Sequence, residues 1–166
     1  MNFIRALRHL LPSAWTVRRM FRPSSLARIE QAIGASEQRH RGQIRFAVEA
    51  ALHPLMVLHG VTGRERAIDV FSRLRVWDTE HNNGVLIYLL LADRDVEIVA
   101  DRGVHARVGE KAWEAICRDM ERALRAGGAQ AAVLDGINAV SRILEQHYPG
   151  SAAGDNELPD RPVVIR

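Results

Sequence analysis

The chain has a single cysteine, Cys117, in 166 residues. An internal disulfide is therefore excluded, no zinc site can be built from thiolates, and a reducing compartment fits. The histidines show no HExxH or other metal-ligand spacing. Aromatic residues make up only 5% of the chain, too few to serve as stacking platforms for single-stranded nucleic acid. The sequence pI is about 9.7, but the formal charge is only +3. Most arginines alternate with acids instead of forming a stripe, so nucleic acid is not an expected partner. No apolar run approaches the roughly 20 residues needed to span a bilayer. GxSxG, P-loop and GxGxxG patterns are also missing.

What is present is ordinary globular composition, 47% hydrophobic and 26% charged, enough for one core. The pattern divides into a basic amphipathic arm (1–23), a domain (24–149), and a small, polar, proline-rich tail (150–166) expected to be flexible or only docked. No acid precedes Glu30. In the arm, Phe3, Ile4, Leu7, Leu10 and Leu11 recur at helical spacing, with Arg5, Arg8, Arg18, Arg19 and Arg22 on other faces. Arg5, Arg8 and His9 interrupt any signal-peptide core, and Pro12 follows at once. Two readings stand. The arm lies on an anionic membrane surface, or it packs on the domain or on a protein partner. The expected location is cytoplasmic, peripheral to the inner membrane.

Ser24 or Ser25 is a candidate cap for a helix carrying Leu26, Ile29 and Ile33. In "QIRFAVEA", from Gln43 to Ala50, Ile44, Phe46 and Val48 alternate with Gln43, Arg45 and Ala47, the period-two mark of a strand with one wet face. Pro54 makes the next stretch read as a connection or an edge segment. Thr62 stands three before Glu65, a capping box, and opens a helix with Ile68, Phe71 and Leu74. Val85 to Leu91 is continuously apolar, a strand buried on both faces. A charged turn and "VEIVA" return the chain as an antiparallel hairpin. Two further helices carry Trp113, Ile116, Met120 and Leu124, then Val133, Ile137, Val140 and Leu144. The tail's "PVVIR" is its one segment able to add a strand to an open edge. The order α-β-α-β-β-α-α predicts a three-layer α/β/α sandwich around a small mixed sheet.

Hairpin geometry separates the acids into two groups. A strand of this length spans about 20 Å, so Asp93, Arg94 and Asp95 in the turn stand far from Asp78, Glu80, Asn82 and Asn83 at the strand's start. Because the chain doubles back, Asp101 returns to that start. Asp78, Glu80, Asn82, Asn83 and Asp101, with His81, Arg102 or His105 nearby, form the candidate metal set. Their hard oxygens suit Ca2+ or Mg2+ rather than zinc. An EF-hand is excluded: in "DTEHNNG" the glycine stands at place seven, and Leu89 occupies the place of the required glutamate. The ordinary alternative is loop chemistry, with Asp78 ending a helix and Asn82 and Asn83 forming a turn. Cys117, on a helix four residues after Trp113, reads as a small buried hydrophobe.

"NNGVLIYLLLADRDVEIVADRGV" resembles the TPM domain family, named for a thylakoid lumen protein, a photosystem II repair protein and a modulator of acetylcholine receptors. The resemblance runs from about Leu26 to Tyr148, through "ARIEQAI", "GQIRFAVEA" and "AAVLDGINAVSRIL" in the same order. It implies a small α/β/α sandwich. For chemistry it implies calcium binding, or an acid phosphatase activity of the kind proposed for a plant relative. Two loops depart from the family pattern: "RVW" replaces a glycine-rich "GIG" ahead of Asp78, and "DRGVHARVG" replaces "GYGLEG" after the hairpin. With no catalytic signature in the chain, the favoured function is a non-enzymatic binding or assembly domain. The alternative is a divalent-cation site at the start of the hairpin, with or without phosphatase chemistry.

Overall fold

A computed structural model describes residues 3–10, 14–150 and 156–165. Leu11, Pro12 and the tail's 151–155 lie outside the described residues. The elements run α1 (Phe3–Leu10), α2 (Ala14–Met20), α3 (Pro23–Glu37), β1 (Gln43–Glu49), α4 (Pro54–Leu58), α5 (Gly63–Arg73), β2 (Gly84–Leu90), β3 (Asp95–Ala100), α6 (Arg102–Val108), α7 (Glu110–Arg125), α8 (Ala129–His147) and β4 (Val163–Ile165). The sheet order is β3-β2-β1-β4. β1 pairs parallel with β2 and with β4, and β2 pairs antiparallel with β3.

The predicted sandwich is the fold found. One face of the sheet, through Ile44, Phe46, Val48, Ile87, Leu89 and Ile98, packs against α3, α7 and α8. The other face, through Ala47, Leu86, Tyr88, Leu90 and Val99, packs against α4 and α5. All seven residues of β2 are buried, as a continuous apolar run between two helical layers requires. The capping box on α5 is present in both directions, with Glu65 N–H donating to Thr62 Oγ1 and Thr62 N–H to the Glu65 carboxylate.

Several local expectations are corrected. α3 is opened by Arg22 as N-cap with Pro23 in its first turn, not by a serine; proline's fixed φ suits that turn. The stretch around Pro54 is a short helix, with Pro54 in its first turn and the His53 side chain accepting from Leu55 N–H. The short helix α6 follows the hairpin ahead of α7. "PVVIR" does supply an edge strand, β4.

The wet face expected of β1 does not exist, since every residue from Gln43 to Glu49 is buried. The tail and α5 cover it and pair most of its polar groups, while Arg45 Nε keeps no partner. Gln43 Oε1 accepts from Leu158 N–H at 2.9 Å, and Arg45 donates to the Pro159 carbonyl. Glu49 accepts two hydrogen bonds from Arg66, both at 2.9 Å, and a third from Tyr88 Oη at 2.6 Å. Burial, with Glu49 adjoining, pushes the Tyr88 phenol far up and keeps it a donor. Removing one partner of a buried ion pair strands the other charge. Arg66→Met is therefore expected to cost about 3–5 kcal/mol, measured by urea unfolding, and Glu49→Gln added to it should recover part of that loss.

Glu37, at the end of α3, is buried and accepts from Ile44 N–H at 2.8 Å. Burial outweighs that bond and pushes its carboxyl from 4.5 up to about 8. Between those values the folded chain holds a proton that the unfolded chain releases, so this group's contribution to stability falls as pH rises from 4.5 to about 8 and levels off above. Urea midpoints of the wild type relative to Glu37→Gln should decline across that window; a constant difference would refute the assignment.

Candidate functional site

The hairpin places its two ends as the register requires. Val85 stands opposite Ala100, and Leu90 opposite Asp95. Asp101 N–H donates to the Gly84 carbonyl at 2.8 Å, so Asp101 lies beside the start of β2.

Loop 76–83 brings only part of the predicted set to this rim. Asp78 is exposed and pairs with Arg75 at 3.5 Å. Glu80 is exposed, and its N–H donates to Glu157 of the tail at 2.7 Å. Asn82 adopts φ 50°, which asparagine tolerates, and its Oδ1 accepts from Arg102 Nε at 3.1 Å. His81 and His105 are exposed. Among the described residues, no three His, Cys, Asp or Glu side chains gather to hold a metal ion.

Asn83 and Asp101 are different. Asn83 is fully buried, and its position is fixed on three sides. Its N–H donates to Thr79 Oγ1 at 3.1 Å, its Nδ2 donates to the Arg41 carbonyl at 2.7 Å, and its own carbonyl accepts from Gln43 N–H at 3.2 Å. With the amide nitrogen spent on Arg41, Asn83 Oδ1 has no partner. Asp101 caps α6 through Oδ1, which accepts from Arg102 N–H at 2.7 Å. Its Oδ2 is buried without a partner.

A third group joins them from the end of α8. The Tyr148 carbonyl accepts from Arg41 N–H at 2.9 Å, and its buried Oη lacks a partner. Gly103 lets it close in: a Cβ there would lie 2.6 Å from the Asn82 carbonyl oxygen and 3.1 Å from Tyr148 Oη. Burial pushes the Tyr148 phenol up and the Asp101 carboxylate adds to this, while Arg107 opposes it from over the ring at 4.6 Å. Asn83, Asp101 and Tyr148 at this rim thus each keep a buried oxygen without a partner. Tyr148 carried no sequence signal, because it reaches the rim from the far end of the last helix.

The turn group serves the arm instead. Asp93 binds Arg5 Nε at 2.9 Å and His9 Nε2 at 3.1 Å. Arg5 Nη1 also donates to the Val61 carbonyl at 2.7 Å. Arg5 is therefore spent inside the protein, whereas Arg8, Arg18, Arg19 and Arg22 are exposed. Cys117 is half-buried, and burial followed by the carboxylates around it pushes its thiol up to about 12. That shift disfavours the thiolate near neutral pH.

The TPM domain model matches residues 17–143. The chain belongs to the TPM domain family. The BA42 protein of the psychrophilic bacterium Bizionia argentinensis, solved by NMR, is similar over 86% of this chain and 93% of its own, with a TM-score of 0.75 and 25% identity. The N-terminal domain of a P. gingivalis protein is similar over 76% of this chain and 79% of its own, with a TM-score of 0.61 and 16% identity, a likeness of fold. Comparison with curated proteins gives no match. The matched region begins at Val17, which with Phe21 is buried in the core, so this TPM domain draws on the second half of the arm.

Asp101 has a capping role that is separate from its free oxygen. Asp101→Ala should cost about 1 kcal/mol, while Asp101→Asn, which keeps a capping oxygen, should stay within a few tenths. Thermal and urea unfolding of both variants checks this.

Proposed function

We propose that this TPM domain is a non-enzymatic binding domain, peripheral to a membrane, whose small-ligand site is the rim of Asn83, Asp101 and Tyr148 and whose ligand is a divalent cation. One observation carries the ligand site: Asn83, Asp101 and Tyr148, drawn to one corner by the bonds of Asp101 to Gly84 and of Arg41 to Asn83 and Tyr148, each keep a buried oxygen without a partner. Buried polar groups are ordinarily paired, and unpaired acceptors around a carboxylate favour a hard cation over zinc. Asp101 would supply the charge, Asn83 and Tyr148 neutral oxygens, and backbone or water the remainder of the six to eight oxygens calcium takes. Cation affinity rises with ligand charge, so a single carboxylate implies weak binding. A thiol held protonated and a site without a paired base give no support to nucleophilic chemistry.

Calorimetry with calcium chloride and magnesium chloride tests this reading. Binding heat is expected for the wild type, little for Asp101→Asn, and an undiminished signal for Asp78→Ala. Heat that survives in Asp101→Asn would place the cation elsewhere. Turnover of p-nitrophenyl phosphate that is lost in Asp101→Asn would replace the binding reading with a phosphatase.

A further inference from the structure

We infer that α1 and α4 together form the face by which the domain docks on an anionic bilayer. This rests on the peripheral-membrane reading above and names the surface that performs it.

The distribution of residues on α1 is the reverse of that on an ordinary surface helix. Its inward side carries Arg5 and His9, and its outward side carries Ile4 and Leu7, 72% and 51% exposed. The inward polar groups face partners inside the fold. Arg5 and His9 hold Asp93, and His9 Nδ1 accepts from Leu52 N–H at 2.9 Å. These bonds fix the rotation of the helix, so the leucine side cannot turn inward without unpairing buried charge. α1 packs on α4, which adds Leu55 and Leu58, 57% and 53% exposed. Large aliphatic side chains exposed on two adjoining helices are more than the scattered apolar residues of a monomer surface.

Charge selects the occupant. Arg8 lies on the exposed side of α1, and neither α1 nor α4 carries an acid. No acid precedes Glu30. Apolar side chains beside an exposed arginine, on two helices without an acid, match the boundary between anionic headgroups and acyl chains. A second copy meeting this face about a two-fold axis would set basic residues against basic residues. The face is at the turn end of the hairpin, a strand's length from Asn83 and Asp101, so a docked domain keeps its rim in water.

Flotation of the full chain with phosphatidylglycerol-containing vesicles, and with phosphatidylcholine vesicles alone, decides the matter. The wild type should float with the anionic vesicles and much less with the neutral ones. Leu7→Glu and Leu58→Glu should each lower the bound fraction about ten-fold. Ile68→Glu, which alters an exposed aliphatic residue on α5, should leave it unchanged. All three positions are exposed, and unchanged urea midpoints would confirm folding. A wild type that fails to float overturns both the peripheral reading and this face. A wild type that floats equally well as Leu7→Glu and Leu58→Glu leaves the peripheral reading standing and overturns the face. Equal flotation on both lipids removes the anionic bilayer as occupant. A dimer by light scattering that Leu58→Glu converts to monomer assigns the face to a second copy instead.

Discussion

Parallel pairing of β1 with β2, from Gln43 opposite Gly84 to Glu49 opposite Leu90, is the constraint on which both ends of this molecule depend. It brings the starts of the two strands together, so that Gln43 N–H reaches the Asn83 carbonyl and Asn83 reaches back to Arg41. It brings their ends together as well, where Leu91 and Ala92 donate to the carbonyls of Glu49 and Ala50. The first junction builds the oxygen-lined rim. The second presents Asp93 to the arm. A one-residue slip would exchange the faces of β1, turning Ile44, Phe46 and Val48 away from α3 and α8 and separating Glu49 from Arg66.

That register tolerates polar residues in a central strand because other elements supply hydrogen-bond partners to each of them. Gln43, Arg45 and Glu49 point to the same face as Ala47, and each has its partner in a segment distant in sequence: Leu158, Pro159 and Arg66. Such partners restore much of what burial removes, since a polar group left unpaired in a dry setting is costly. The polar face of β1 therefore specifies where the tail and α5 lie. It makes residues 156–165 part of the fold.

Period and capping made the hairpin, the α5 start and the two long helices readable from the residues, because each is a local pattern. The placement of Asn83 beside Asp101 was readable for the same reason: a tight hairpin returns its chain to the starting point whatever surrounds it. Asp78 and Glu80 were misplaced because alternation ends where the strand ends, and nothing local tells which way a loop side chain points. Tyr148 and the covered face of β1 were illegible for a complementary reason. Both depend on contacts across roughly half the chain or more, Arg41 with Tyr148 and Gln43 with Leu158. Period two announces which residues share a face and is silent on what covers that face.

The arm shows how far amphipathic pattern alone can mislead. Helical spacing identifies an apolar stripe and a basic remainder, and burial of the stripe is the usual outcome. Here Asp93, held in a turn at the end of two buried strands, competes for the arm's polar side. It offers a carboxylate only 15% exposed at its side chain. An arginine seated against it gains a charge-assisted bond in a partly dry setting, whereas leucines seated there would leave that carboxylate unpaired. The helix turns its polar side inward, and Ile4 and Leu7 are left outward as the consequence. An exposed apolar face of this origin is built into the fold by the needs of one half-buried acid, which is why the proposed docking surface and the hairpin turn cannot be altered independently.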